Sequence, residues 1–365
     1  MKKFVLLPFY YVKGFLFDDL SVEIKKNKLI LFYIIMTTPF TLLVSIITNH
    51  DFKLEFNTYL SIIFGLMFVS LLVWAPSYLF FLAIQREQKP VRKFFDKFKV
   101  ALFPVSRTFG VFLLILILNI PISSYSFIKS AIPNLNFYYL DLDLYHVDKW
   151  LHFGFSPWEI THLFFTSAFS SLVINFLYHL WFFVMWLMFI YFILDRKNIR
   201  LRYQFLLTFL SSWFVIGNIM AIFLSSVGPV YFNHFYEQDY YLPLMQRLNA
   251  LNTELNGGFL HLWSLDAQQI LWKTYVADAS HIGSGISAMP SMHVTISVLM
   301  AMASFRLNKN LGYVLWIFAF CIQIGSVHLG WHYAVDGYVG ALSVAILWHF
   351  IGYLLRRYLG RVDLS

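Results

Sequence analysis

The chain of 365 residues is 59% hydrophobic and only 13% charged, with mean hydropathy +0.66, whereas a soluble domain carries about 25% charged residues. That composition excludes an ordinary soluble enzyme, and the single cysteine, Cys321, excludes an intramolecular disulfide and a CxxC metal site. The net charge of +8 invites a nucleic-acid reading, which the placement of the charges removes.

Taken in order, the stretch Phe4 to Phe17 is aromatic and is interrupted by Pro8, Lys13 and Gly14, with no small-residue cleavage site after it. It reads as an interfacial segment anchored by Lys25, Lys26 and Lys28, or as a frayed tail, and not as a signal peptide. Eight apolar runs long enough to cross a bilayer follow. They cover roughly 29–48, 58–84, 109–128, 172–194 and 204–227, then runs starting near Ser291 and Leu311, and a last one from about His332 to Leu355. The fold class expected is an all-α polytopic membrane protein. A basic loop with Arg86, Lys89, Arg92, Lys93, Lys97, Lys99 and Arg107 joins the second and third runs.

Two connecting segments are long. Residues 129–170 are rich in Asp, Asn, Pro and aromatics, and hold Asp141, Asp143, His146, Asp148, His152 and Glu159. Such a cluster has cation-binding composition, but is more commonly a solvated loop, and no metal is expected there. Residues 228–290 are too polar to span and too long to be mere connection, so a lid over a site is the natural reading. Two apolar-periodic pieces within them, Tyr241–Leu255 and Leu265–Val276, read as interfacial helices.

With these spans, 22 of the 27 Lys+Arg fall on the side of the two termini, and five (Lys53, Lys129, Lys149, Arg247 and Lys273) on the other. The positive-inside rule then makes the termini cytoplasmic. The excess charge is a topology signal, so no nucleic-acid partner is expected.

Two stretches on the opposite face, towards the periplasm, exterior or lumen, carry the chemistry. The first runs Gly283-Ser284-Gly285-Ile286-Ser287-Ala288-Met289-Pro290-Ser291-Met292-His293. Its Pro-Ser pair suits a helix start, with Ser291 as N-cap, and the free amides there make a phosphate seat. The second runs Ser326-Val327-His328-Leu329-Gly330-Trp331-His332-Tyr333-Ala334-Val335-Asp336-Gly337. His332 and Asp336 at i, i+4 share one face of a helix, where the carboxylate can hold one ring nitrogen protonated and orient the other. Ionisable groups at membrane segments are functional candidates by default. His293 supplies a second proton-transfer group from the neighbouring span.

These stretches resemble the second and third signature motifs of the type 2 phosphatidic acid phosphatase (PAP2) superfamily. The wording Met-Pro-Ser-Met-His, then His-Leu-Gly-Trp-His-Tyr-Ala-Val-Asp, is most similar to the inositolphosphotransferase branch, which includes inositol phosphorylceramide synthase. The resemblance implies a six-helix catalytic core over 109–365, with outer-face loops 129–170 and 228–290, preceded by an N-terminal region, 1–108, with two extra spans. It implies His332 as nucleophile, Asp336 as its orienting partner, His293 as proton donor, a lipid substrate within the bilayer, and no metal or other cofactor.

The chain departs from the wider superfamily in lacking any Arg-Pro dipeptide, and in having Gly325-Ser326 where Ser-Arg would open the third motif. Phosphoryl transfer depends on such cations. The expected substitutes are Ser291 and the helix amides, His328, Arg247 and Lys273. Three functions remain in view: a lipid phosphotransferase or phosphatase, a metalloenzyme using His328, His332, Asp336 and His293, and a transporter or scaffold whose histidines pack or line a path.

Overall fold

The computed structural model describes residues 24–54, 56–102, 105–195, 197–255, 260–277 and 285–359. The expected interfacial stretch Phe4–Phe17, and Gly283 and Ser284 of the first motif, lie outside the described residues. Among the described residues the chain is helical, with no strand. Among the described residues seven helices are long and apolar enough to cross a membrane: α1 (Lys28–Thr48), α2 (Phe56–Ile84, of which Met67–Ile84 is the apolar part), α4 (Val105–Leu135), α7 (Ala168–Leu194), α8 (Ile199–Phe223), α12 (Lys309–His328) and α13 (Ala334–Leu359). This is an integral membrane protein.

Two compact units divide the chain: Met1–Thr38 with Leu54–Ile122, and Pro39–Lys53 with Ser123–Ser365. In the first, the expected basic loop contains an amphipathic helix, α3 (Pro90–Leu102). Pro90 opens it, as proline does at a first turn. Phe94 stacks on Trp74 of α2, and Lys93 pairs with Glu87. The loop reading missed that Phe94, Phe95 and Phe98 recur at helical spacing among the lysines.

The second unit is built around the run starting near Ser291, which is α11 (Met292–Leu307). At 16 residues it is about 24 Å long, short of the roughly 30 Å hydrocarbon core. Its flanks are buried on nearly every side, from Met292 through Val294–Ala301 to Ala303 and Ser304. A helix apolar all round belongs inside protein; α11 is the core helix of the unit. α8 carries a wider π-helical stretch at Ser212–Met220, a distortion that recurs near functional sites.

The segment 129–170 is mostly helical: the end of α4, then α5 (Asp141–Leu151) and α6 (Pro157–Phe164). Ser156 and Glu159 close a capping box at the start of α6. The segment 228–290 holds α9 (Leu242–Glu254) and α10 (Trp263–Val276), close to the two interfacial pieces expected. It is docked: Tyr231 Oη donates to the Gln268 carbonyl, Gln268 Nε2 donates to the Leu329 carbonyl, and the Ser264 amide donates to Asn175 Oδ1.

Candidate active site

His293, His332 and Asp336 meet at one end of the second unit. Asp336 lies in the first turn of α13, whereas His332 precedes that helix by two residues. The two therefore do not share a helix face, as the spacing had implied. Instead the Ser326 carbonyl accepts the amides of both Trp331 and His332. The Asp336 carboxylate accepts the Tyr333 amide at 3.1 Å, and His332 Nδ1 lies 3.3 Å from the same oxygen, Oδ2. A short Asp side chain at this position reaches back over the helix start, as an acid in a first turn is placed to do. Asp336 is wholly buried and its Oδ1 has no hydrogen-bond partner.

The two motif stretches are tied directly, since the Ser291 amide donates to the Asp336 carbonyl at 3.1 Å. Ser291 occupies the N-cap position of α11, but its hydroxyl makes no cap bond and is buried without a partner. The N-cap expectation is thus met in position and not in bonding. The backbone of Ser291 is engaged by Thr295 Oγ1 as well as by Asp336.

The His293 ring lies on an aromatic floor, stacked on Tyr178 at 4.5 Å and tilted against Trp181 at 4.3 Å. Its centroid is 6.2 Å from that of His332. Burial pushes the His332 imidazole down to about 3; the Ala288 carbonyl opposes this with a hydrogen bond, and the Lys129 ammonium adds to it. His332 is therefore neutral at physiological pH, the form with a lone pair to donate. A cavity of about 10 Å³, room for roughly one water, touches His332, Asp148, Trp158 and Tyr241.

Sequence reading missed what α5 does. Asp141 and Asp148 were read as members of a solvated cluster, yet both are buried. They stand seven residues apart, two turns on one face of a helix. Asp148 accepts the Ala334 amide at 2.7 Å and the Val335 amide at 2.9 Å, so it caps α13, the helix that carries Asp336, from a distant segment. Asp141 accepts the Val227 and Gly228 amides and the hydroxyls of Tyr333 and Tyr236. Gly228 has φ +86°, and a Cβ there would lie 2.9 Å from both the Ala288 side chain and the Trp331 carbonyl. The Gly-Pro turn thus wedges between the two motif stretches, and only glycine fits. Burial raises both carboxyls, that of Asp148 to about 7. The signal available in sequence was the i, i+7 spacing of two aspartates, which by itself does not name partners 86 and 186 residues away.

The remaining candidates are placed elsewhere. His328 is stacked flat on His162 at 3.8 Å. Thr161 Oγ1 donates to the Trp158 carbonyl and so accepts from His328 Nδ1, while Ser171 Oγ faces Nε2 at 2.9 Å, which assigns the tautomer. Both ring nitrogens of His328 are thereby occupied. Arg247 donates to the His162 carbonyl at 3.3 Å, and Lys273 is exposed on α10. No group of three or more His, Cys, Asp or Glu arranged to hold a metal ion is found among the described residues.

Comparison with curated proteins and with solved structures finds no match. A family model described as the PAP2 superfamily matches residues 142–350, more than half of the chain, a span that includes Asp148, His293, His332 and Asp336. Members of that superfamily are phosphatases or phosphotransferases, so this is an enzyme of the lipid phosphatase or phosphotransferase type. On its sequence match and its all-helical membrane fold, the chain belongs to the PAP2 superfamily.

Proposed function

We propose that the chain is a membrane-embedded lipid phosphotransferase that moves a phosphate-containing head group from a lipid donor to an alcohol acceptor through a phospho-histidine. The observation that carries this reading is one neutral, carboxylate-held imidazole facing a second imidazole at a centroid separation of 6.2 Å. When its one N–H is given to Asp336 at Nδ1 and the Ala288 carbonyl is released, His332 presents Nε2 to phosphorus. The N–P bond forms as the P–O bond to the donor alcohol breaks, and His293 delivers a proton to the departing oxygen. His293, now basic, takes the proton of the acceptor hydroxyl. That oxygen attacks phosphorus and His332 leaves. Residues 109–365 form the catalytic core in this reading, with Ser291 and its neighbours seating the phosphate. The site faces the periplasm, exterior or lumen, with both termini cytoplasmic.

Two features favour an alcohol over water as acceptor. The motif wording and the missing arginines resemble the inositolphosphotransferase branch, and the α9–α10 segment is docked on the second motif stretch, with Leu244 lining the cavity at His332 and Gln268 Nε2 donating to the Leu329 carbonyl, which favours exclusion of water. The runner-up is a lipid phosphate or polyprenyl (pyro)phosphate phosphatase using the same residues, with water as the second nucleophile. The test is to incubate purified protein with a panel of lipid phosphates, with and without lipid and polyol alcohols, and to identify products by mass. Transfer predicts a new phosphodiester or phosphomonoester on the alcohol. Release of inorganic phosphate at one rate whatever alcohol is supplied replaces this reading with the phosphatase.

A further inference from the structure

A lysine inside a membrane helix is held at an energetic cost and calls for a reason. Lys129 lies six residues before the end of α4, outside the residues matched to the family. No hydrogen bond or ion pair to its ammonium is found among the described residues. Its backbone is pressed against the first motif stretch. Gly285 has φ +90°, and a Cβ there would come within 2.7 Å of the Lys129 carbonyl oxygen and 2.8 Å of Ser130 Cα. The loop that leads to His293 thus lies on α4 at Lys129. The Lys129 ammonium acts electrostatically on both imidazoles, His293 and His332.

The other four cations assigned to that face make bonds elsewhere or are exposed. Arg247 is bonded to the His162 carbonyl, Lys149 to Tyr145 Oη, and Lys53 and Lys273 are exposed. A reaction at phosphorus places negative charge on non-bridging oxygens, and a fixed cation beside them is worth far more in a water-poor site than in solvent. The chain lacks the Arg-Pro and Ser-Arg cations that would serve, so the charge must come from elsewhere in the fold.

Resting on the phosphotransfer reading above, we infer that Lys129 is the cation that binds the phosphate oxygens of the lipid donor and of the phospho-histidine, in place of the arginines this chain lacks. The ligand class is a phosphate monoester or diester head group presented from the bilayer. Ammonium and oxyanion meet as a charge-assisted hydrogen bond, and the flexible stem of lysine lets the contact follow the phosphorus between donor and acceptor.

The test uses purified full-length protein as wild type, Lys129→Met and Lys129→Arg, assayed on the best lipid phosphate of the panel and probed with orthovanadate as a phosphate mimic. Lys129→Met is expected to lower kcat/KM by about 10²- to 10³-fold, the scale of losing one oxyanion-stabilising group, and to weaken orthovanadate inhibition at least about tenfold on that scale. Lys129→Arg should recover at least a tenth of the loss, because the charge is kept. Lys129→Met should also be as heat-stable as wild type or more so, since it removes a half-buried charge with no partner among the described residues; a structural lysine would give the opposite sign. If Lys129→Met keeps kcat/KM and orthovanadate sensitivity within about twofold while His332→Ala is dead, the Lys129 inference is overturned and the reading of the site stands. If His332→Ala is itself active, the reading fails and takes this inference with it.

Discussion

Two histidine pairs stand in the second unit, and they are built in opposite ways. His162 and His328 lie flat on one another, 3.8 Å apart at 11°. Ser171 and Thr161 take both nitrogens of His328, and His162 Nε2 donates to the His328 carbonyl. His293 and His332 are 6.2 Å apart at 59°, one resting on aromatic rings and the other held by a carboxylate. In the first pair three of the four ring nitrogens are bonded inside the protein, with His162 Nδ1 buried without a partner; in the second, His332 is bonded, whereas no hydrogen bond to the His293 ring is found among the described residues, which leaves that ring able to meet a substrate. The difference lies in the neighbours, because all four are histidines near helix ends.

The sharpest way to break this contrast is to remove each pair in turn. His332→Ala is expected to abolish turnover. Asp336→Asn should lower kcat by about 10³- to 10⁴-fold through the wrong tautomer, as the orienting acid of a hydrolase triad does. Steady-state assays on folded, detergent-solubilised protein check both, and near-normal activity in His332→Ala ends the account.

Asp148→Ala probes the support beneath the reactive pair. It leaves the Ala334 and Val335 amides without their acceptor at the start of α13. A buried unsatisfied amide costs roughly 1–3 kcal/mol. The expected result is a fall in kcat of about 10- to 100-fold, the size of losing a residue that orients a reactive group, with KM changed far less. An equal rise in KM and no fall in kcat would place Asp148 in binding instead.

The packed pair answers to pH and not to turnover. Burial holds His162 down to about 4, from an ordinary value of 6.5. The unfolded chain therefore binds more protons than the folded one between about pH 6.5 and 4, and this histidine's contribution is lost as pH falls through that window. The shift corresponds to at most about 3 kcal/mol. His162→Gln should be less stable than wild type at pH 7.5, and the gap should narrow steadily below pH 6.5 in thermal melts. A gap that is flat with pH would show that His162 is not held neutral by the fold.

The smallest expected effect is that of chelation. A histidine nucleophile has to remain unligated, so activity should survive EDTA and metal analysis of the purified protein should find no stoichiometric ion. One equivalent of zinc, lost together with activity, would promote the metalloenzyme reading.

How much of this was legible in the sequence follows from the range of each interaction. Apolar runs gave seven of the eight expected spans, most to within about five residues, because a bilayer imposes length on every helix that crosses it; α4 runs on to Leu135, seven residues past the expected 128. The exception in character is α11, apolar like the others, which its 16-residue length and its packing show to be a core helix. His332 and Asp336 were found because their contact is four residues long. That His332 sits before α13 was not legible, since i, i+4 spacing fits a helix and a helix-start loop alike. Asp141 and Asp148 looked solvated because nothing local marks an aspartate whose donors lie in another segment. His328 looked available for the same reason: Ser171, which faces its Nε2, is 157 residues away.

The central claim is a covalent bond between phosphorus and His332, and it can be observed directly. Purified wild-type protein and the His332→Ala and His293→Ala variants should be mixed with a lipid phosphate labelled on phosphorus, quenched in base, and digested for mass analysis. The account predicts an acid-labile phosphate on the peptide carrying His332 in wild type, its absence in His332→Ala, and slower formation in His293→Ala, where the leaving oxygen lacks its proton donor. Turnover by wild type with no phosphate on His332 at any quench time, or with phosphate on a different residue, would contradict it.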